Sequence, residues 1–444
     1  MSTALPVLSL ELELAMVAHN NAHVDPSFPS SASVADVLPQ ELLDHIIDLL
    51  AEDGTAFTSL ISCSLVCRAF LPRTRKHIFR MVYLGAKAHS RNLITTSLAP
   101  RTLFFVQDLT INFASDMITP LVGPPRASNE VGRWIPTSFD DFPMLETLIL
   151  MNMAWSRQNA NEKLLNYLTR GPHHFRTLGL TGLRFPDNAH VCALVRAAPQ
   201  LNRLVCVGVD FDADAAHNPL MSCAEHHTWD QLEVLNVYPG SLKPILFGTD
   251  VEGESGLLKA ILDPSQCPAA LPALHTINWF VEQTQTAPLN KLLSMTCSTL
   301  RTLNIVMYSM PGSDIIELTH LAHVRFDLSE WDGARSDGVE AIHRVVQQLQ
   351  RDVPYALQSL ELRLSKAFRI NSTPGFKELW EVLDESLACR TRFPFLSHVE
   401  LHMSGTLDLD ETSGFDFLPA FRTGKSMGSA VLSGPTMHIR LPRV

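Results

Sequence analysis

The sequence predicts an α/β chain in which a short module of three helices precedes an irregular solenoid of parallel strands and helices. Three observations carry this. An apolar-x-x-apolar-x-apolar unit recurs ten times between Val106 and Leu401. Most of the intervals between copies hold a segment with one apolar helical face, and from about residue 36 to 84 the apolar period is helical.

The copies are Val106, Leu109, Ile111; Leu145, Leu148, Leu150; Phe175, Leu178, Leu180; Leu201, Leu204, Cys206; and Leu232, Leu235, Val237. They continue as Leu274, Ile277, Trp279; Leu300, Leu303, Ile305; Leu321, Val324, Phe326; Leu357, Leu360, Leu362; and Leu396, Val399, Leu401. The second and third positions are two apart, so both point to one face of a strand, and the first turns the chain into it. Between them, NEKLLNYLTR, HVCALVRAA, GLLKAIL, PLNKLLSM, VEAIHRVVQQLQ and FKELWEVLDESL each carry one apolar stripe. Strand plus helix, stacked many times, is a parallel solenoid of the leucine-rich-repeat type. The copies advance by 21 to 42 residues, where regular repeats take roughly 20 to 29. The asparagine of the regular consensus is mostly missing, so the array, residues 100 to 405, is expected to be irregular, with a C-terminal extension over 406 to 444.

Composition bounds the function. At 444 residues and 46% hydrophobic side chains the chain can bury a large core. A net charge of -11 argues against a general grip on nucleic acid, whose phosphates require clustered Lys and Arg. The opening MSTALPVLSLELELAMVAHN lacks the basic start of a secretory signal, and no segment approaches the roughly 18 consecutive apolar residues of a membrane span. With eight cysteines and no C-x-x-C pair, an intracellular protein with reduced thiols is expected, cytoplasmic or nuclear, with Cys63, Cys67 and Cys206 packing in apolar surroundings.

Residues 1 to 35 include DPSFPSSAS and are expected to form a mobile leader. The helical module follows, residues 36 to 84. Its first helix places Leu42, Leu43, Ile46, Ile47, Leu49 and Leu50 on more than one stripe, with Pro39 and Glu41 suited to its start. A face of that breadth needs two covers: its own neighbours and something else. LISCSLVCRAF predicts a second helix and RTRKHIFRMVYL a third, with Pro72 between them. Leu38, just ahead of the first helix, is either half of a hydrophobic staple or an exposed anchor. Arg68, Arg73, Arg75, Lys76 and Arg80 read as a solvated helix face.

Leu38-Pro39, Glu41-Leu42, Ile46-Ile47, Leu49-Leu50, Leu60, Cys63-Ser64-Leu65-Val66-Cys67-Arg68, Phe70 and Phe79 resemble, in type and order, the F-box of fungal F-box proteins with divergent repeats. Phe70 and Phe79 stand where that family carries tryptophan, and AEDGTAFT lengthens the first connection. The resemblance implies binding to the Skp-type adaptor of a cullin-based SCF ubiquitin ligase. Leu38, Pro39, Leu42 and Ile46 would meet the adaptor, with Cys63, Val66 and Phe70 contributing or packing behind them. The chain would then be a non-catalytic receptor that positions an unidentified target protein through its repeats, needing no cofactor, nucleic acid or membrane. The alternative is a protein-binding repeat scaffold with no ligase.

Catalytic and ligand motifs are poor. Gly424-Lys425-Ser426 resembles the end of a phosphate loop, but Pro419 replaces the earlier glycine. His217, Cys223, His226 and His227 have loose spacing for zinc, and His173-His174 is no better. Asp408, Asp410, Glu411 and Asp416 read as an exposed acidic loop. The insertions TPLVGPPRASNEVGRWIPTSFDD, DFDADAAHNPLMSCAEHHTW and YPGSLKPILFGTDVEGES are the expected contact loops. Trp134, Trp229 and Trp331 lie at repeat boundaries, either packed under loops or serving as anchors.

Overall fold

The computed structural model describes residues 38–52, 57–66, 68–84, 100–112, 142–152, 161–185, 188–211, 231–238, 271–281, 286–307, 316–328, 338–351, 353–364, 382–383, 385–387, 389, 391–403, 430–433 and 436–440. Apart from Asp210, Phe211 and Tyr238, which belong to strands, the three insertions lie outside these, as do the leader and the acidic loop. So do Trp134, Trp229, Trp331, Cys67, the His217 to His227 cluster and Gly424-Lys425-Ser426. The chain divides into two compact units, Met1–Met151 and Asn152–Val444.

The first unit begins with three helices: α1 Gln40–Glu52, α2 Phe57–Val66 and α3 Leu71–Ile78. The Pro39 carbonyl accepts from the N–H groups of Leu42 and Leu43 at 3.0 and 3.3 Å, so Pro39 caps α1. That boundary puts Leu38 and Leu43 at the two positions a hydrophobic staple joins; Leu38 is half-buried and Leu43 buried. Ile47, Leu60, Ile61 and Ile78 form the helical core, with Leu50, Phe57, Cys63, Phe70 and Phe79 packed against it. Pro72 does not separate two helices at a distance; it occupies the first turn of α3, where no N–H is needed.

The third helix is shorter than its sequence suggests. It stops at Ile78, and Met81–Leu84 is a strand, β1, paired parallel with β2 Asp108–Asn112. Phe79, Val82 and Leu84 are therefore an eleventh copy of the apolar unit, with Val82 opposite Leu109 and Leu84 opposite Ile111. The short helix α4 Pro100–Leu103 precedes β2, and β3 Thr147–Met151 adds a third parallel strand.

In the second unit the elements are α5 Asn161–Arg170, β4 Thr177–Thr181, β5 Arg184–Phe185, α6 Asn188–Arg196, β6 Arg203–Val207, β7 Asp210–Phe211 and β8 Val234–Tyr238. Next come β9 Thr276–Val281, α7 Thr286–Thr296, β10 Thr302–Met307, β11 His323–Leu328, α8 Gly338–Leu349, β12 Ser359–Leu364 and β13 His398–Met403. The main strands run parallel in the order β4-β6-β8-β9-β10-β11-β12-β13. The antiparallel pair β14 Ala430–Ser433 and β15 Thr436–Arg440 joins at β13. Eight of the ten sequence copies form the entry and body of the parallel main strands, and the other two those of β2 and β3 in the first unit.

Register explains why the pattern works. Leu178, Leu204, Leu235, Ile277, Leu303, Val324, Leu360 and Val399 align across the eight strands, all buried. Two residues on, Leu180, Cys206, Val237, Trp279, Ile305, Phe326 and Leu362 form a second buried row. Burial pushes the Cys206 thiol far up, so it is an inert packing group.

The turns into the strands are stacked by shared carbonyls. Asn202 accepts from Glu233 and Val234, Glu233 from His275 and Thr276, and His275 from Arg301 and Thr302, all within 2.8–3.2 Å. At the other strand ends the chain bends through left-handed residues: Asn152, Gly182 and Gly208 have φ of 56°, 60° and 58°. The bends at Gly182 and Gly208 lead into a second, small parallel pair, β5 and β7. The uneven repeat lengths thus leave the strand register intact, with the excess residues placed between strands.

Candidate docking surfaces

Helix α1 separates its apolar residues into two faces. Leu43 and Ile47 are each 1% exposed. Leu42, Ile46 and Leu49, at i, i+4 and i+7 on the other side, are 50%, 44% and 53% exposed. On α2, Leu65 and Val66 are 50% and 72% exposed. Of the seven residues singled out from sequence, Pro39, Leu42, Ile46 and Val66 are exposed, while Leu38, Cys63 and Phe70 are half-buried, the last two packed against the helical core. Leu49 and Leu65 were not among them. The signal for Leu49 was in the sequence, because it continues the Leu42 and Ile46 stripe by one turn.

The exposed stripe is held in place by charge. Arg73 of α3 grips Asp48 of α1 through both Nε, at 2.6 Å, and Nη2, and His77 Nε2 reaches the same carboxylate at 2.7 Å. The Arg73 hydrogen bonds, aided by His77, hold the Asp48 carboxyl far below its ordinary range. Arg73 is thus a clamp between helices and not a solvated charge, as the sequence reading had it; Arg68, Lys76 and Arg80 remain exposed. Gln40 Nε2 adds a bond to the Ala69 carbonyl at 3.1 Å.

In the second unit, the strand face away from the core is polar and ordered by register. Asn236, Asn278 and Asn304 align on β8, β9 and β10. Their amides are chained, Asn304 donating to Asn278 at 2.5 Å and Asn278 to Asn236. The same row continues as Arg325, Glu361 and Glu400. Glu361 accepts from Arg325 at 2.5 Å and Arg363 at 2.6 Å, and His402 lies 3.2 Å from Glu361 and 3.0 Å from Glu400. Burial alone would raise the Glu361 carboxyl, and the two guanidinium bonds outweigh it and hold it below its ordinary value. Glu361, Glu400 and His402 are close enough to share an ion. The two arginines already occupy Glu361, so the group is an ion-pair network.

His173 and His174 do not converge. His173 is buried, donating from Nε2 to the Leu168 carbonyl at 3.0 Å and stacked on Phe175, while His174 is exposed. Among the described residues no helix is long and apolar enough to cross a membrane. No protein-family model matches the chain, and no curated protein matches it.

Proposed function

We propose that this chain is the substrate-recognition subunit of an SCF-type ubiquitin ligase. It takes a Skp-type adaptor on the α1/α2 face and a target protein on the strand array, which we read as a degenerate leucine-rich-repeat-like solenoid. The α1 to α3 module is the F-box-like part. Ubiquitin transfer itself belongs to other subunits, so the chain is non-catalytic, working inside the cell without a cofactor.

The observation that supports this is the exposed stripe Leu42, Ile46 and Leu49, joined by Leu65 and Val66, on helices whose opposite face is already filled. Fully burying an exposed leucine is worth about 1.5–3 kcal/mol, and these half-exposed side chains have about half of that still to gain. Five exposed large apolar residues on one small module are a docking face for a partner helix.

The test is capture of a purified Skp-type adaptor by the full chain, compared with Leu42→Asp plus Ile46→Asp, and with Leu38→Asp plus Pro39→Ala. Binding by the native chain that both double variants lose supports the reading. No binding by the native chain removes the ligase and leaves the scaffold. Binding that survives both changes removes these residues from the contact.

A further inference from the structure

We infer that the two α-to-β turns feeding β4 and β6 form a docking site for a stretch of another polypeptide rich in Asp and Glu. The turn from α5 to β4 carries Arg170, His174 and Arg176, and the turn from α6 to β6 carries Arg196 and Arg203, all exposed. No Asp or Glu lies on either turn.

The turns are neighbours by construction. Strands β4 and β6 pair directly, with Thr177 opposite Arg203, and adjacent strands lie about 4.8 Å apart. The Arg176 carbonyl accepts from Asn202 and Arg203 at 2.9 and 3.0 Å, and the His173 N–H donates to the Ala197 carbonyl at 2.6 Å. Four guanidinium groups are therefore presented from a preformed frame, which limits the ordering cost of binding.

Among the described residues, several arginines are already paired and others are not. Arg73, Arg325 and Arg363 are consumed by Asp48 and Glu361. Among the described residues, Arg170, Arg176, Arg196 and Arg203 make no ion pair or side-chain hydrogen bond. Arg170 and Arg196 end helices, where they offset the partial negative charge of the helix carbonyls. That leaves Arg176 and Arg203 as surplus positive charge. Glu233 bounds the site on the β8 side, 3.9 Å from His275.

Guanidinium groups favour carboxylates through paired hydrogen bonds. A short acidic segment fits a patch two turns wide. A long polyanion such as RNA would extend past it and meet a chain of net charge -11. The site does not depend on the adaptor reading, because it lies in the second unit and has its own readout.

The experiment is fluorescence anisotropy of the full chain with a labelled peptide alternating Glu and Gly, at low salt. Binding is expected, weakening as salt rises. It should fall at least about tenfold in Arg176→Ala plus Arg203→Ala, a loss of two charge-assisted contacts, with unchanged far-UV circular dichroism. Arg184→Ala, at the other strand ends, should leave it unaltered. No binding by the native chain, equal loss with Arg184→Ala, retention in the double variant, or tighter binding of a single-stranded oligouridine would each overturn the proposal.

Discussion

The backbone N–H of His173 donates to the carbonyl of Ala197 at 2.6 Å, fastening the turn that enters β4 to the end of α6. The imidazole keeps that turn in place: it stacks on Phe175 at 5.5 Å, touches Tyr167 at 5.4 Å and bonds the Leu168 carbonyl. His173→Ala removes all three and leaves a hole in a buried site. A loss of about 2–3 kcal/mol in urea unfolding is expected. A loss below about 0.5 kcal/mol, the level of an ordinary surface change, would mean that the turn holds without the ring.

Gly182 follows β4 with φ of 60°, and a Cβ added there would lie 2.7 Å from Asn152 Oδ1. Gly182→Ala therefore meets both backbone strain and a close contact, and is expected to cost about 1–3 kcal/mol. Adding Asn152→Ala should return only part of that loss, since it relieves the contact and not the dihedral. Thermal unfolding of the two single variants and the double variant separates the contributions.

How far the sequence carries depends on what each position reports. The buried rows were legible because strand burial repeats every two residues, and the second and third positions of all ten copies fall on strands. Phe79, Val82 and Leu84 were missed because they continue an apolar helical run, and only pairing with β2 makes them a strand. The Asn236, Asn278 and Asn304 chain was invisible for another reason. These residues lie 42 and 26 apart, and nothing local says that they share a row. Likewise, Asp48 and Arg73 look like separate helix-surface charges until α1 and α3 pack.

The Asp48 clamp has a pH signature. Arg73 and His77 depress the folded carboxyl below its ordinary 3.8. Its stabilisation is therefore fully present above that value and is lost as pH falls through the lower folded value. Asp48→Asn should cost about 1 kcal/mol at neutral pH. The gap between native and variant melting temperatures should hold down to about pH 4 and close only below it. A gap already closed near pH 5 would exclude the clamp as the cause.

In each of two adjacent pairs on α1, Leu42 with Leu43 and Ile46 with Ile47, the two residues should behave oppositely. Leu43→Ala and Ile47→Ala empty buried positions and should each cost roughly 2–4 kcal/mol for leucine and slightly less for isoleucine. Leu42→Ala and Ile46→Ala change exposed positions and should stay within about 0.5 kcal/mol. Denaturant titration of the four single variants decides this. Comparable losses at Leu42 and Leu43 would mean that the outer stripe is covered by the chain itself, which would withdraw it from any partner.

Glu361 is where the polar face is most tightly coupled. Its side chain is 13% exposed and meets Arg325, Arg363 and His402 at once. Glu361→Gln leaves two half-buried guanidinium groups without their carboxylate, so a loss of about 2–4 kcal/mol is expected. Removing the positive partner as well should cost less than the sum of the single changes, because the orphaned charge goes with it. Thus Glu361→Gln plus Arg363→Met should recover at least about 1 kcal/mol relative to additivity. Strict additivity in urea unfolding would mean that Arg325 alone carries the pairing, with Arg363 reaching Glu361 from two residues along the same strand at no energetic consequence.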